Sequence, residues 1–190
     1  MNIIFFNVST DRGFSSFNRT TTSFNLEGSN LRIVVLSDTH GNSYALESVI
    51  LRNTDADWIF HLGDGERELD NFILSHQKLA PKIIHVVGNC DFDSLSQEVF
   101  ILPVMDHKIL ATHGHLYGVG SSLDRLTALA HTNGCDIVLF GHTHMKYESF
   151  ENGIYFLNPG SASIPRDGSK PTFGHIDISP AGVVLNIAEV

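Results

Sequence analysis

Residue types that bind metal ions recur along this chain in a fixed order, and nearly all of them follow an apolar run. Carboxylate oxygens and imidazole nitrogens suit divalent transition metals, and an asparagine carbonyl adds a neutral oxygen ligand. Polar groups at the ends of buried strands meet in the crevice where an α/β fold binds its ligands. The pattern therefore predicts one convergent metal site, built from Asp38, His40, Asp64, Asn89, His113, His142 and His144.

The elements that must position these residues are visible as apolar runs between turn residues. Such short runs predict buried strands, and the five that precede the candidate ligands span residues 33–36, 58–60, 83–87, 109–111 and 137–140.

Three helices are expected between these strands. The first begins after the N-cap Asn42 and runs to about Asn53. The second spans roughly 66–79, closed by Pro81. The third begins at Ser121, with a capping-box-like partner three residues on, and ends at a glycine cap. Later apolar runs form hairpins, one around an Asn-Gly step at 152–153. Helices outside two central sheets would make a layered α/β sandwich.

Composition limits the possible functions. The 190 residues indicate one domain, and the 42% hydrophobic content can fill one core. A formal charge of −9 argues against a broad nucleic-acid surface or an anionic membrane as partner. The two cysteines, Cys90 and Cys135, give no disulfide framework, which favours a reducing cytoplasm.

The first 30 residues differ from the rest. An apolar start precedes a segment rich in Ser, Thr, Asn and Gly, and no basic region indicates a secretory signal. We interpret residues 1–30 as a weakly structured or docked extension and 31–190 as the domain. The apolar residues of this extension could pair subunits in a homo-oligomer: Ile3, Ile4, Phe5, Phe6, Phe14 and Phe17.

Each motif alone has an ordinary explanation, since a lone strand-end Asp often caps a turn and a lone His is often structural. Five such motifs in order after strands are improbable by chance. Asp64 could bridge two cations through its two carboxylate oxygens. In an extended segment, His142 and His144 would lie on one side of the chain at period two, so that each could serve a different cation.

The motifs Asp38-x-His40, Gly63-Asp64, Gly88-Asn89-Cys90-Asp91, Thr112-His113-Gly114-His115 and Gly141-His142-Thr143-His144 resemble those of the calcineurin-like metallophosphoesterase superfamily. Together with the Asn-Pro-Gly-Ser run at 158–161, they are similar to its small YfcE-type phosphodiesterase branch. The resemblance covers about 31–190. It implies a four-layer α/β/β/α sandwich of two mixed sheets flanked by helices.

The resemblance also implies a dinuclear site bridged by Asp64. Asp38, His40, Asp64 and His144 would hold one metal, and Asp64, Asn89, His113 and His142 the second, with Asp64, Asn89 and His113 as the catalytic core. Mixed oxygen and nitrogen ligands suit Mn²⁺, the expected metal, or Ni²⁺, Fe²⁺ or Zn²⁺. A hydroxide bridging the metals would attack a small phosphoester in line. Backbone amides between Asp38 and the first helix could bind the anionic substrate.

Four further residues are candidates for substrate contact. Many relatives that cleave phosphomonoesters carry His where this chain has Cys90, and a thiol donates a proton poorly to a leaving alkoxide. Phosphodiesters or better leaving groups are therefore expected. Asp91 could supply acid chemistry or form a turn, and His115 could contact substrate or be structural. Arg166 could bind phosphate through a forked hydrogen bond or be a solvated loop residue.

Competing functions remain open at this point. The same fold serves as a non-catalytic protein-binding scaffold in retromer-type coats, and a metal or nucleotide sensor is a third possibility. Competent residues at all seven ligand positions favour catalysis. Metal-stimulated turnover would separate an enzyme from a scaffold.

Overall fold

The computed structural model describes residues 2–5, 20–23 and 30–190 of the chain. Its helices and strands follow in chain order: β1 (Asn2–Phe5), β2 (Thr20–Ser23), β3 (Leu31–Leu36), α1 (Ser43–Arg52), β4 (Trp58–His61), α2 (Glu66–Ser75), β5 (Ile83–His85), β6 (Val99–Val104), β7 (His107–Thr112), α3 (Asp124–Asn133), β8 (Ile137–Leu139), β9 (Lys146–Glu151), β10 (Ile154–Pro159), β11 (Thr172–Ser179) and β12 (Gly182–Glu189).

Two five-stranded mixed sheets form the centre of the fold. In the first, with order β12-β11-β3-β4-β5, parallel strands β3, β4 and β5 are extended by the antiparallel pair β11 and β12. In the second, with order β6-β7-β8-β10-β9, parallel strands β7, β8 and β10 are flanked by antiparallel edge strands. Both sheets therefore direct parallel strand ends towards their ligand-binding edge.

Three buried apolar clusters define the layers. One lies between the sheets and includes Val35 and Phe60 from the first sheet and Ile109 from the second. Another packs α1 and α2 against the outer face of the first sheet, and a third packs α3 against the second sheet. Since apolar burial is the main stabilising term of a fold, these clusters fix the expected four-layer α/β/β/α sandwich, which is confirmed.

The predicted helices are present, with two corrections at their ends. Helix α1 is capped by the Asn42 side chain, which accepts a hydrogen bond from the Ala45 amide. Helix α2 ends at Ser75, four residues before the predicted end, because the His76 amide turns back to the carbonyls of Phe72 and Ile73. Helix α3 begins at Asp124 and not at Ser121, because the preceding residues form a turn that follows the left-handed Gly118.

The hairpin predicted at the Asn-Gly step is confirmed. Asn152 and Gly153 both have positive φ, at 53° and 79°, between the paired residues Glu151 and Ile154. Positive φ at both central positions matches the twist of the flanking strands.

At the chain start, β1 and β2 pair antiparallel, while Phe6, Phe14 and Phe17 lie outside the described residues. A homo-oligomer therefore stays a prediction. No helix among the described residues is long and apolar enough to cross a bilayer.

Candidate metal centre

Loops that follow the parallel strands bring all seven predicted ligands to one edge of the two sheets. Asp38 and His40 follow β3, and Asp64 follows β4. Hydrogen bonds between these loops join them directly, because the amides of Asp38 and His40 donate to the carbonyls of Gly63 and Asp64 at 3.0 and 2.9 Å. From the second sheet, the Gly141 amide donates to the His113 carbonyl at 3.0 Å.

Four of the seven ligands form a tight cluster, which we call the inner cluster: Asp38, His40, Asp64 and His144. Their ligand atoms all lie within 4.8 Å of one another. His144 Nε2 lies 3.1 Å from Asp38 Oδ1 and 3.0 Å from His40 Nε2, and His40 Nε2 lies 3.7 Å from Asp64 Oδ2. Two ligands of one cation are at most about 4.2 Å apart, so the inner cluster is close to the size of a coordination shell.

Two of the imidazoles are oriented by a hydrogen bond from Nδ1 to a backbone carbonyl, which leaves Nε2 facing the predicted metal site. His144 Nδ1 donates to the Ile164 carbonyl at 2.7 Å, and His113 Nδ1 donates to the Leu62 carbonyl at 2.7 Å. In the neutral rings, each Nε2 therefore carries a lone pair. Outer bonds of this kind typically orient metal-binding histidines.

In the inner cluster, the Nε2 lone pair of His144 faces the Asp38 carboxylate and His40 Nε2. Asp38 Oδ1 is buried and accepts no hydrogen bond, although His144 Nε2 is only 3.1 Å away. A buried acceptor without a partner is costly, and only a proton or a metal cation can satisfy both atoms at once. The donor set and this unsatisfied oxygen therefore fit a divalent cation.

The remaining three ligands form a second, more open group, which we call the outer group: Asn89, His113 and His142. His113 Nε2 lies 3.1 Å from Asn89 Oδ1 and 3.6 Å from Asp64 Oδ1. The ring centroids of His113 and His142 are 5.1 Å apart. The His142 amide donates to Asp38 Oδ2 at 3.1 Å. Asp64 thus faces the inner cluster with one oxygen and the outer group with the other.

Backbone strain is concentrated in these ligands. Eight non-glycine residues among those described have positive φ, and five are ligands: Asp38, His40, Asp64, His142 and His144. Such conformations cost about 1–3 kcal/mol each and persist at functional sites. The prediction that residues 141–144 are extended is therefore wrong, since β8 ends at Leu139. His142 and His144 still face different groups, because left-handed turns direct them.

Glycines allow these loops to approach closely. A Cβ at Gly88 would collide with the Asp64 side chain, and one at Gly141 would collide with the Ser37 hydroxyl and lie 3.0 Å from Asp38 Oδ2. Only a residue without a side chain fits at either position.

Charge and burial shift the pKa values of three predicted ligands. Burial alone would raise the pKa of Asp38, but the contact with His144, the charge of His113 and the hydrogen bond from Ser37 together hold it below its ordinary value. The same contact with Asp38 raises the pKa of His144. Burial lowers the pKa of His142, which keeps its imidazole neutral and ready to coordinate.

Sequence reasoning missed a buried hydrogen-bond chain behind the inner cluster. The Thr39 hydroxyl donates to Glu68 Oε1 at 2.6 Å and lies 3.1 Å from His61 Nε2. Glu68 Oε1 also accepts the Gly41 amide at 2.7 Å, and His61 Nδ1 lies 3.2 Å from His85 Nδ1. This chain fixes the loop that carries Asp38 and His40. Only the polar Thr39 between two ligands could have indicated it.

The amides predicted to bind an anion are already occupied. The amide of His40 donates to Asp64, that of Gly41 to Glu68, and that of Asn42 to the Thr39 carbonyl. That expectation is wrong for these residues, because the loop uses its own donors to hold its shape.

Asp91 organises the loops around Asp64. Its two carboxylate oxygens accept the amides of Asp64, Gly65, Glu66 and Gly88 at 2.8–2.9 Å. Burial would raise the pKa of Asp91, but these four amides outweigh burial and hold it below its ordinary value. With these hydrogen bonds, the Asp91 carboxylate holds the loop in place and caps the N-terminus of α2.

Cys90 lies beside Asp64 with its thiol protonated. Its amide donates to Asp64 Oδ1 at 2.7 Å. Burial, the hydrogen bond to Asp64 and nearby carboxylates raise the pKa of the thiol to about 11. A thiolate is the reactive form of cysteine, so Cys90 is not poised as a nucleophile.

His115 and Arg166 lie at the rim of the centre. The His115 ring is 5.3 Å from that of His113 and 6.1 Å from that of His142. The exposed Arg166 side chain lines a cleft with His142, and its charge acts on His144. Both positions allow contact with a bound substrate, and that role stays a prediction.

Two clefts are lined in part by predicted ligands. The apolar cleft, of about 550 Å³, is lined by Val119, Gly120, Ser121, Ser122, Leu123, Phe140, His142, Thr143, Met145, Lys146, Tyr147 and Arg166. The acidic cleft, of about 940 Å³, is lined by His40, Gly41, Asp64, Gly65, Glu66, Arg67, Glu68, Asp70, Cys90, Asp91, Phe92, Asp93, Ser94 and Leu95.

Comparisons with known proteins identify a family and several relatives. Residues 31–180 match the model of the calcineurin-like phosphoesterase superfamily domain. The chain is 34% identical to the probable metallophosphoesterase YsnB of Bacillus subtilis over 137 residues, covering 72% of this chain and 78% of YsnB. It is 28% identical to the phosphodiesterase YfcE of Escherichia coli K12 over 184 residues, covering 81% of this chain and 91% of YfcE.

A solved structure is similar over the same region. It is that of a conserved uncharacterized protein, a predicted phosphoesterase, from Streptococcus pneumoniae TIGR4. The two chains are 31% identical, with a TM-score of 0.74, and the match covers 85% of this chain and 90% of the other.

Proposed function

The chain belongs to the calcineurin-like phosphoesterase superfamily, and we propose that it is a metal-dependent phosphodiesterase that hydrolyses small phosphodiesters. The observation that carries the proposal is the inner cluster, in which Asp38 Oδ1 is buried without a hydrogen-bond donor beside His144 Nε2. The reaction would convert a diester and water into a monoester and an alcohol.

Two divalent cations fit the donors, with Mn²⁺ as the first choice. Asp38, His40, Asp64 and His144 would hold one, and Asp64 would share the second with Asn89, His113 and His142. When bound, such a pair activates water and neutralises charge on the phosphoryl oxygens. The Asp64 position between the inner cluster and the outer group supports this sharing.

The chain's own residues prepare the site before substrate arrives. The carbonyls of Ile164 and Leu62 hold two imidazoles with Nε2 facing inward. Asp91 fixes the loops of Asp64 and Gly88 through their amides. Preorganised groups of this kind need no rearrangement during the reaction.

The Cys90 position favours diesters. A thiol with a pKa of about 11 is a weak donor to a leaving alkoxide. A phosphodiester carries one negative charge where a monoester carries up to two, so it meets less repulsion from Asp38 and Asp64. Arg166, which lines a cleft with His142, would contact a phosphate group of the substrate.

The test is hydrolysis of bis(p-nitrophenyl) phosphate by metal-stripped protein, with Mn²⁺, Ni²⁺, Zn²⁺ or Mg²⁺ added back singly. We expect metal-dependent turnover that Asp64→Ala abolishes. Absence of turnover with every metal, in protein shown by elemental analysis to have bound metal, would contradict the proposal and favour the scaffold or sensor alternatives.

A further inference from the structure

The apolar cleft, which includes the predicted ligand His142, differs in chemistry from the acidic cleft, which includes His40 and Asp64. Its lining combines the apolar side chains of Leu123, Phe140, Met145 and Tyr147 with the cationic Lys146 and Arg166, and it includes no carboxylate. The acidic cleft has six carboxylates against one cation, Arg67. A phosphodiester bound at the predicted ligands would therefore meet opposite electrostatic environments in the two clefts.

The cations of the apolar cleft are free to bind an anion. Among the described residues, neither Lys146 nor Arg166 has an ion-pair partner for its side chain. Asp167, which follows Arg166 in the sequence, uses Oδ2 to accept the Lys146 amide at 3.2 Å and Oδ1 to accept the Ser169 amide at 2.9 Å. Arg166 lies close enough to the inner cluster for its charge to act on His144.

The apolar part of the cleft is presented in a fixed shape. The Tyr147 hydroxyl donates to Glu151 Oε1 at 2.8 Å, and its ring lies 6.1 Å from that of the buried Phe140. Tyr147 and Met145 are 37% and 50% exposed, so both can contact a ligand. A flat ring packs favourably against an aromatic ring and a thioether.

We propose that the apolar cleft binds one substituent of the phosphodiester, and that this substituent is of nucleotide type, with a flat ring and a further anionic group. This inference rests on the proposed function for the position of the scissile phosphate. Tyr147 and Met145 contact the ring, while Arg166 and Lys146 bind the further anion. The other substituent lies on the side of the acidic cleft and is uncharged, because the carboxylates there repel anions.

Three diesters with the same p-nitrophenolate leaving group test the proposal: methyl p-nitrophenyl phosphate, the p-nitrophenyl ester of thymidine 5′-phosphate, and the same ester carrying a 3′-phosphate. We expect kcat/KM to rise roughly tenfold with the nucleoside and roughly tenfold again with the added phosphate. Equal values for all three would overturn the proposal.

Variants test which residues cause the rise in kcat/KM with the nucleoside and the further rise with the 3′-phosphate. Tyr147→Ala should remove most of the gain from the nucleoside, while Tyr147→Phe retains it because the ring remains. Arg166→Gln should remove most of the gain from the 3′-phosphate. Arg52→Gln, an exposed arginine on α1, is the matched control and should preserve both gains. Loss of both gains in equal measure by every variant would contradict the assignment.

A binding measurement separates this inference from the proposed function. Calorimetric titration of the metal-loaded protein with thymidine 3′,5′-bisphosphate should show binding that Arg166→Gln weakens about tenfold. If no diester is hydrolysed but the bisphosphate binds in this way, the proposed function fails and the cleft assignment stands. If diesters are hydrolysed but the bisphosphate does not bind, the cleft assignment fails alone.

Discussion

The inner cluster and the outer group belong to one predicted site, but their side chains differ in burial and in how firmly hydrogen bonds hold them. In the inner cluster, Asp38, Asp64 and His144 are at most 3% exposed, and Asp38 Oδ2 accepts the Ser37 hydroxyl at 2.6 Å and the His142 amide at 3.1 Å. In the outer group, Asn89 is exposed, and its amide nitrogen donates only to the Cys90 sulfur, at 3.3 Å.

This difference indicates an order of metal binding. A preformed shell binds a cation without the cost of arranging its ligands, as with any preorganised site. The outer group must fix Asn89 when it binds. We therefore expect two phases of metal uptake, with the tight phase at the inner cluster.

The strongest test removes one of the two carboxylates of the inner cluster. Asp38→Asn keeps the shape of a buried side chain but leaves His144 without its carboxylate partner. We expect loss of the tight phase and a roughly 10³-fold fall in kcat/KM for a diester, measured by chelator competition and steady-state kinetics. Asp55→Asn, on an exposed carboxylate that pairs with Arg32 at 3.5 Å, is the control. Undiminished metal uptake by Asp38→Asn would contradict the assignment of the tight phase to the inner cluster.

Weakening the outer group should separate the phases. Asn89→Ala removes the carbonyl oxygen 3.1 Å from His113 Nε2. We expect the weak phase to lose about 10–100-fold in affinity, with the tight phase unchanged in the same titration. Asn186→Ala, on an exposed asparagine of β12, should change neither phase. Equal weakening of both phases would mean that the two groups act as one unit.

The buried chain behind the inner cluster makes its contribution indirectly. Thr39→Val removes the hydroxyl that joins Glu68 to His61 with little change in volume. Because the loop of Asp38 and His40 would be less fixed, we expect about tenfold weaker binding in the tight phase only. Thr39→Ser retains the hydroxyl and should restore the affinity. Identical affinities for the Val and Ser variants would show that the hydrogen bond has no such role.

The same buried chain predicts a dependence of stability on pH. Burial, together with the charge of His85, lowers the pKa of His61 to about 3, against about 6.5 in an unfolded chain. Below pH 6.5 the unfolded state binds the extra proton and the folded state does not. Folding stability should therefore fall with acidification until the pH reaches about 3.

The expected size is about 1.4 kcal/mol for one pH unit below 6.5, or about 4 °C in Tm for a chain of this length. Thermal unfolding at pH 7.5 and 5.5, with a chelator present, measures the loss. His61→Gln should lose that much less than the wild type, because glutamine does not titrate. The control His131→Gln, on an exposed residue of α3, should match the wild type. A His61→Gln variant with undiminished acid sensitivity contradicts the assignment.

The sequence predicted the inner cluster and the outer group equally well, but not the difference between them. Apolar runs and caps define the strands and α1 because their patterns are local. The left-handed conformations of His142 and His144 depend on loop closure across both sheets, which no local pattern encodes. In the sequence, Glu68 has the pattern of an ordinary acidic residue in the first turn of a helix. Its burial depends on the approach of Thr39 and Gly41, which are distant in the sequence.

The smallest expected effect concerns the chemistry at the outer group. Cys90→His places a better hydrogen-bond donor beside Asp64, where the native thiol with a pKa of about 11 is a weak one. We expect the ratio of diesterase to monoesterase kcat/KM to fall several-fold, measured with bis(p-nitrophenyl) phosphate and p-nitrophenyl phosphate. Cys90→Ser lacks the ring and should keep the native ratio. An unchanged ratio in Cys90→His would mean that this position does not select the substrate, and selection would then depend on the two clefts.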